Sequence, residues 1–284
     1  MSDIEEKDML TIAVDEAVEK DTECALCWMH EKSEIRYLEA YYSECVMDAG
    51  SRSEVIQSRG FCRYHFHRFL SFALQTIPGE KLGLALVLEN LVEARSGDLK
   101  RSRNCIDDLH RTKAKDIMRL LADGVSQAKR KSLDECFRRI RSLIGGRERS
   151  CPACESLKEM NEIHVDTLAR MLVAHASFQE TFRNSKGLCL FHLLELMKAL
   201  RLRYESEFPL LSKTLLELEL KNFDRIRSEL KEFIRKHDYR FSNEPWRSEK
   251  DVVERAVPKL IGIYQLVSGR EEDNVVKAVR SKPR

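Results

Sequence analysis

The chain has 284 residues, enough for one large domain or two smaller ones, and a core of that size needs no disulfide to stabilise it. Its 11 glycines and 6 prolines amount to about half the roughly 12% of average usage, which argues against β-sandwiches, barrels and collagen-like chains. The net charge of +2 conceals two blocks of opposite sign: residues 1–58 carry 15 acidic and 5 basic side chains, and residues 99–150 carry 15 basic and 7 acidic ones.

Apolar residues recur at spacings of three and four along most of the chain, which predicts helices. The predicted helices cover residues 5–20, 26–48, 66–77, 80–97, 105–122, 127–143, 155–178, 188–205 and 210–236. The apolar stripe over 66–77 stops at Pro78-Gly79, which ends that helix. A last helix over 249–268 is predicted from the capping-box pattern of Ser248 and Asp251, and Pro258 should kink it. Because no segment alternates convincingly with period two, the predicted fold is all-α.

An internal repeat selects four residues in each half of the chain. The segments Cys24-Ala25-Leu26-Cys27 and Gly60-Phe61-Cys62-Arg63-Tyr64-His65 have counterparts in Cys151-Pro152-Ala153-Cys154 and Gly187-Leu188-Cys189-Leu190-Phe191-His192. The interval between a Cys or His of the first half and its counterpart is the same for all four pairs. We call this interval the repeat offset, and we predict an internally duplicated helical bundle with halves near 1–146 and 147–284.

The repeated residues have the spacing of metal ligands. Two cysteines three positions apart at a helix start can direct both thiolates to one point, and a Cys and a His three apart share a helix face. Zinc binds a Cys3His set tetrahedrally, with no open position for water. We therefore expect one structural zinc site per half, formed by Cys24, Cys27, Cys62 and His65 in the first half and by Cys151, Cys154, Cys189 and His192 in the second. An iron–sulfur cluster and thiol redox chemistry of the Cys-x-x-Cys pairs remain alternatives.

The other cysteines and histidines are not selected by the repeat. Cys45, Cys105 and Cys136 have no counterpart at the repeat offset, and we interpret them as small buried apolar groups. His110 and His237 are also separated by the repeat offset, but their neighbours show no similarity. We interpret that match as a coincidence.

Catalytic signatures are missing from the sequence. It contains no phosphate-binding glycine loop, no G-x-S-x-G and no H-E-x-x-H, and carboxylate pairs such as Glu217 with Glu219 are interpreted as solvated helix faces. We expect a binding or scaffold module that has a protein partner or self-associates. The sequence favours a role other than catalysis, and it identifies no small-molecule substrate. The basic segment 99–150 makes nucleic-acid binding an alternative, although Phe137 is the only aromatic residue within it.

The compartment is inferred from targeting signals and cysteine usage. The first residues are acidic and lack the apolar segment of a secretory signal, and no apolar run approaches the roughly 18–20 residues of a membrane span. Nine cysteines without an export signal are typical of a reducing compartment. We therefore expect a cytoplasmic protein that does not associate with membranes.

Several blocks together resemble an uncharacterised prokaryotic family of the domain-of-unknown-function type. They are the Cys-x-x-Cys pairs, Arg59-Gly60-Phe61-Cys62-Arg63-Tyr64-His65-Phe66, Leu82-Gly83-Leu84-Ala85-Leu86, and His237-Asp238-Tyr239-Arg240-Phe241 followed by Glu244-Pro245-Trp246. The resemblance spans about 10 to 265 and implies a cytoplasmic bacterial or archaeal protein. It implies no activity.

Overall fold

A computed structural model describes residues 8–75, 81–116, 127–145, 151–241 and 243–263. Within these ranges the chain contains helices and no β-strand, so the all-α prediction is confirmed. The α-helices are α1 (Met9–Glu19), α2 (Ala25–Ala40), α3 (Ala49–Gln57), α4 (Arg63–Gln75), α5 (Leu82–Asp116), α6 (Gln127–Gly145), α7 (Pro152–Ala174), α8 (Ala176–Arg183), α9 (Leu190–Arg203), α10 (Phe208–Lys236) and α11 (Val252–Ile261). No helix in the described ranges combines the length and the apolar character needed to cross a membrane.

Contacts between residues divide the chain into two compact units. Unit 1 comprises residues 1–34 and 157–284, and unit 2 comprises residues 35–156. Both boundaries fall inside a helix, so α2 and α7 each contribute residues to both units. These units differ from the predicted halves 1–146 and 147–284, which stay a prediction drawn from the sequence repeat.

Unit 1 has an apolar core built from one face of each of several helices. Val14 of α1, Leu168 of α7 and Leu196 of α9 are almost completely buried in it. Helix α10 packs against α9 and α11, α11 packs against α9, and α1 packs against α8. The same core contains Cys24 and Cys189, so it holds the first residues of α2 and α9 in place.

Unit 2 has a core rich in aromatic side chains. The rings of Phe61 and Phe69 are 4.3 Å apart between centroids, and the ring of Tyr41 lies 5.0 Å from that of Phe69. Helix α5 packs against α3, α4 and α6. Cys62 and Cys151 belong to the same core, which therefore positions the first residues of α4 and α7.

Helix α5 is one continuous helix of 35 residues where the sequence predicted two helices separated by a polar gap. Gly97 is the last residue before that gap, and a glycine inside a helix costs about 1 kcal/mol relative to alanine. The next residue, Asp98, is buried and pairs with Arg95 at 3.3 Å and with Arg101 at 2.6 Å, one turn away on either side. These pairs support the helix through the polar stretch.

Two further differences lie around residue 45. The predicted helix over 26–48 leaves α-helical geometry at Ala40 and continues as a π-helical turn, Tyr41–Cys45, in which the amide of Val46 donates to the carbonyl of Tyr41 at 2.9 Å. Helix α3 was not predicted because it buries only Val55 and so has no apolar stripe. Its start is fixed locally instead, since the Asp48 carboxylate accepts from the amide of Ser51.

Helix α11 differs from the predicted helix over 249–268 at both ends. Ser248–Asp251 form a 3-10 turn and the Asp251 side chain makes no capping hydrogen bond, so the predicted capping box is wrong. The helix ends at Ile261, where Gly262 adopts a φ of +75° and donates its amide to the carbonyl of Pro258. Residues beyond 263 lie outside the described ranges, and the kink at Pro258 stays a prediction.

Candidate metal centres

The eight predicted ligands gather into two groups. The first centre consists of Cys24, Cys27, Cys189 and His192, and the second centre consists of Cys62, His65, Cys151 and Cys154. In each centre the three sulfurs and one imidazole nitrogen all lie within 4.8 Å of one another. The first centre lies wholly in unit 1 and the second wholly in unit 2. Two groups of the Cys3His type that can hold a metal ion are therefore present.

The composition of each centre corrects the sequence prediction. Each centre combines the Cys-x-x-Cys pair of one half with the Cys-x-x-His pair of the other half. The expectation that Cys24 and Cys27 share a site with Cys62 and His65 is wrong, and so is the corresponding expectation for the second half. The spacing within each pair selects ligand residues, but the packing of the helices decides which two pairs meet.

In the first centre His192 lies among the three sulfurs. Its Nδ1 atom is 3.3 Å from the Sγ of Cys24, 3.4 Å from that of Cys27 and 3.3 Å from that of Cys189. The Cys27 and Cys189 sulfurs are 3.7 Å apart. All four residues are buried, so the donor atoms face one another rather than solvent.

Asn161 of α7 orients the imidazole of the first centre. The Nε2 atom of His192 lies 3.0 Å from the Oδ1 atom of Asn161, and both residues are buried. When Nε2 carries the proton and donates it to that oxygen, the lone pair at Nδ1 faces the sulfurs. A hydrogen bond of this kind fixes the tautomer and orientation of a ligating histidine.

Asn161 was not among the residues predicted from the sequence, although a signal was available. It follows Cys154 by seven positions, which is two helical turns, and it is flanked on its face of α7 by the buried residues Leu157 and Leu168. A polar side chain inside an apolar stripe needs a hydrogen-bond partner in the core. That requirement points to the function of Asn161 but not to its partner.

In the second centre a histidine again lies among three sulfurs, and its distances to them vary slightly more than in the first centre. The Nδ1 atom of His65 lies 3.1 Å from the Sγ of Cys62, 3.3 Å from that of Cys154 and 3.6 Å from that of Cys151. The Cys154 and Cys62 sulfurs are 3.7 Å apart. Cys154 is half-buried, whereas the other three residues are buried.

Each centre is formed where two helices begin. In each of the four pairs one cysteine directly precedes the helix, and its carbonyl accepts a hydrogen bond from the amide four residues later, which is the first bond of the helical pattern. These residues are Cys24 before α2, Cys62 before α4, Cys151 before α7 and Cys189 before α9. The sulfurs of Cys24, Cys62 and Cys189 each also lie 3.4 Å from the amide three residues later. Amide groups and the helix dipole at a helix start favour the thiolate form of a cysteine.

The three thiols of the first centre hydrogen-bond to one another. Bonds from Cys24 and Cys27 lower the pKa of the Cys189 thiol, whereas burial raises the pKa of Cys24 well above its usual value. Hydrogen bonding with Cys189 raises the pKa of Cys27 to about 12. One thiolate is thus favoured and two further negative charges are opposed, which is the electrostatic situation that a bound cation relieves.

In the second centre, too, the pKa values of two cysteine thiols are shifted in opposite directions. Hydrogen bonds from Cys154 and Cys62 lower the pKa of the Cys151 thiol to about 3. The same contacts, with Cys151 and Cys62, raise the pKa of Cys154 far above its usual value. In both centres, therefore, hydrogen bonds from neighbouring cysteines favour the thiolate form of one sulfur.

A buried ion pair supports the loop that leads into the first centre. Glu219 and Lys259 are almost fully buried and lie 2.6 Å apart, and Glu219 also accepts from the amide of Leu188 at 2.5 Å. Burial raises the pKa of Glu219, an effect that Lys259 opposes. Gly187 in this loop has a φ of +70°, and a Cβ built on it would overlap the Glu219 carboxylate. The interpretation of Glu219 as part of a solvated helix face is therefore wrong.

The cysteines outside the two centres behave in two ways. Cys45 is half-buried and is not part of either centre. Cys105 in α5 and Cys136 in α6 lie side by side, with their Cα atoms 6.1 Å apart, a separation that a disulfide can span. Cys136 is buried, as expected from the sequence, whereas Cys105 is half-buried.

The histidine pair that matches at the repeat offset contributes to neither centre within the described ranges. His237 ends α10, where its Nδ1 atom lies 2.9 Å from the carbonyl oxygen of Phe233 and its ring contacts that of Trp246. The side chain of His110 lies outside the described residues.

Comparison with known proteins assigns the chain to a family. A model of a family of unknown function, DUF6062, matches residues 5–266, which is nearly the whole chain. The chain belongs to DUF6062. The resemblance to a domain-of-unknown-function family, noted from the sequence blocks, is thus confirmed. No curated protein and no solved structure matches the chain. Membership of DUF6062 brings no activity, so the function has to be argued from the two centres.

Proposed function

We propose that each centre binds one Zn²⁺ ion with a structural role. A tetrahedral Cys3His zinc site has Zn–S bonds of about 2.3 Å and Zn–N bonds of about 2.0–2.1 Å, which correspond to sulfur–sulfur separations of roughly 3.8 Å and sulfur–nitrogen separations of roughly 3.6 Å. The sulfur–sulfur distances of 3.7 Å and the sulfur–nitrogen distances of 3.1–3.6 Å are close to these values. This agreement in both centres is the observation that carries the proposal.

The same spacing favours a single ion over an iron–sulfur cluster. An iron–sulfur cluster interposes several iron and sulfide atoms between its protein ligands, so the ligand atoms lie on different irons. Here all four donor atoms of a centre lie within 4.8 Å of one another, which leaves room for one ion. A Cys3His set also matches zinc better than hard cations such as Mg²⁺ or Ca²⁺, because thiolates are soft ligands.

The structural role follows from the number of ligands and from what they connect. Four protein ligands complete a tetrahedron, so no position is left for a substrate or a catalytic water. In the first centre the ion would join the starts of α2 and α9, and Cys27 and Cys189 are 162 residues apart in sequence. In the second it would join the starts of α4 and α7, with Cys62 and Cys154 92 residues apart. Such links stabilise the fold, because the unfolded chain does not preform them.

We further propose that the zinc-stabilised chain acts as a binding or scaffold module for a protein partner or a second copy. Leu133 and Phe137, one turn apart on α6, are 57% and 64% exposed. Neighbouring exposed apolar side chains on a helix are typical of a contact surface for protein. Nucleic-acid binding through 99–150 is the competing proposal, and it predicts affinity for generic DNA or RNA that falls steeply as salt is raised.

Metal analysis tests the zinc proposal. The full chain, purified without chelators, should contain two zinc ions per molecule and be colourless, and Cys45→Ser should contain the same amount. Brown protein with iron and sulfide would replace the proposal with an iron–sulfur function. Metal-free protein that takes up no zinc would refute it outright.

A further inference from the structure

Lys259 of α11 is an almost fully buried lysine that contacts both chain segments leading into the first centre. Its ammonium group donates to the carbonyl oxygen of Lys186 at 2.6 Å and to that of Glu23 at 3.3 Å. Glu23 directly precedes the ligand Cys24. Lys186 lies three residues before the ligand Cys189. One side chain therefore joins two segments that are distant in sequence and that each lead into a ligand pair.

The third partner of the ammonium group acts on one of the same segments. An ammonium has three donors and no acceptor, and Lys259 also donates to the Glu219 carboxylate at 2.6 Å. Glu219 in turn accepts from the amide of Leu188, the residue before Cys189, at 2.5 Å. The lysine thus holds the loop before Cys189 twice, once directly through a carbonyl and once through the carboxylate.

The chain that follows Lys259 reaches the ligand sulfurs themselves. Gly262, directly after α11, has a φ of +75°. A Cβ built on it would lie 3.3 Å from the sulfur of Cys189 and 4.0 Å from that of Cys27. Because Lys259 lies three residues before Gly262, the same helix end both ties the two loops and lies against the first centre.

Burying the charges of Lys259 and Glu219 is not in itself a gain in stability. Removing two charges from water costs about as much as their attraction returns, so well-packed apolar residues of similar volume often give equal or greater stability. An apolar residue, however, cannot hold two carbonyl oxygens and a carboxylate at fixed positions. The contacts of Lys259 therefore fit a positioning role better than a role in general stability.

A second buried lysine of unit 1 provides the contrast. Lys236 pairs with the buried carboxylate of Glu249 and donates to the carbonyl of Pro245 at 2.7 Å. Both partners lie within 13 residues of Lys236 in sequence, and none of the three is next to a metal ligand. The same chemistry therefore closes a local turn at Lys236, whereas at Lys259 it joins the two segments that carry the ligands of the first centre.

We propose that Lys259 is a positioning residue of the first metal centre. By holding the segment before Cys24 and the segment before Cys189 together, its ammonium group sets the separation of the two ligand pairs. The metal affinity of the first centre therefore depends on Lys259. This inference rests on the proposed metal-binding function but not on which metal is bound. It leaves the second centre unaffected, because the ligands of that centre all lie in unit 2.

Competition with a chromogenic chelator tests the proposal in two backgrounds of the full chain. Cys62→Ser removes a ligand of the second centre, so the first centre is measured alone, and Cys189→Ser leaves the second centre alone. In the Cys62→Ser background, Lys259→Met should lose its ion at an at least about tenfold lower chelator concentration, as expected when a residue that orients metal ligands is lost. In the Cys189→Ser background it should have no effect. Lys236→Met, the matched control, should have no effect in either background.

A double variant separates positioning from the effect of an unpaired buried charge. Lys259→Met alone leaves the Glu219 carboxylate without its partner, which destabilises the fold. Lys259→Met combined with Glu219→Gln removes both charges and keeps an oxygen acceptor for the amide of Leu188. In the Cys62→Ser background this double variant should still bind metal severalfold more weakly than Glu219→Gln alone, because the carbonyls of Glu23 and Lys186 have lost their shared donor.

The visible spectrum of Co²⁺ bound in place of zinc reports on the geometry of the first centre. In the Cys62→Ser background both Lys259 variants should alter this spectrum, and Lys236→Met should not. Unchanged metal release or an unchanged spectrum in both Lys259 variants would overturn the inference and leave the metal proposal standing. An equal effect of Lys236→Met would overturn it as well, since general loss of stability would then explain the result. A Cys62→Ser chain that takes up neither zinc nor cobalt would refute the metal-binding function and the inference with it.

Discussion

The hydrogen bond between Asn161 and His192 gives a prediction that separates the two centres. Replacing Asn161 with leucine keeps the side-chain volume but removes the acceptor that lies 3.0 Å from the Nε2 atom of His192. His192 is fully buried, so water cannot replace the lost partner. We therefore expect Asn161→Leu to weaken metal binding at the first centre and to leave the second centre unchanged.

The expected size follows from the burial of this hydrogen bond. A buried donor left without a partner costs about 1–3 kcal/mol. Loss of the outer partner of a ligating histidine lowers metal affinity roughly 10- to 100-fold, which is the same range in free energy. Asn161→Asp keeps an acceptor and should bind metal at least as tightly as the parent chain, because a carboxylate raises the basicity of the imidazole.

The assay is competition with a chromogenic chelator, followed as metal released per chain. One of the two ions should leave Asn161→Leu at a roughly 10- to 100-fold lower chelator concentration than in the parent chain, and the other should leave as before. Asn222→Leu, which removes another buried asparagine of unit 1, controls for general loss of stability. If both ions of Asn161→Leu were released as in the parent chain, the assigned role of Asn161 would be refuted.

Two further substitutions test the loop and the ligands. Gly187→Ala should destabilise the chain by more than about 1 kcal/mol and weaken metal binding at the first centre, because Gly187 has a positive φ and its added Cβ would overlap Glu219. Gly97→Ala, in the middle of α5, should instead stabilise the chain by about 1 kcal/mol. Chemical denaturation measures both changes, and a stabilising Gly187→Ala would contradict the loop geometry. Cys62→Ser should retain one metal ion of two while Cys45→Ser retains both, as measured by elemental analysis, and equal losses in the two variants would count against the ligand assignment.

The helical fold could be predicted where helices bury a regular stripe. The predicted helix over 188–205 agrees closely with α9, and the one over 210–236 agrees closely with α10. Prediction failed where local polar contacts replace the stripe. Ion pairs of Asp98 with Arg95 and Arg101 support α5 where the polar gap begins after Gly97, and α3 depends on a cap at Asp48. Such contacts depend on side-chain geometry that apolar spacing does not record.

The ligands of the centres could be predicted, but their grouping could not. The repeat offset selected all eight ligands, since a metal site demands particular residue types at fixed spacing. Either Cys-x-x-Cys pair can complete a Cys3His set with either Cys-x-x-His pair. Both groupings therefore give centres with the same three cysteines and one histidine as ligand types, and the ligand types alone do not distinguish them. Only the cores of the two units, which hold the starts of α2 with α9 and of α4 with α7, decide between them.

Alkylation mapping of Cys62→Ser tests the grouping of the ligands most directly. The native variant is treated with N-ethylmaleimide in the presence of zinc, and modified cysteines are located by mass spectrometry. Loss of the second centre should make Cys151 and Cys154 reactive while Cys24 and Cys27 stay protected by the first centre. Reactive Cys24 and Cys27 with protected Cys151 and Cys154 would contradict the account, because that pattern requires each half of the sequence to form its own site.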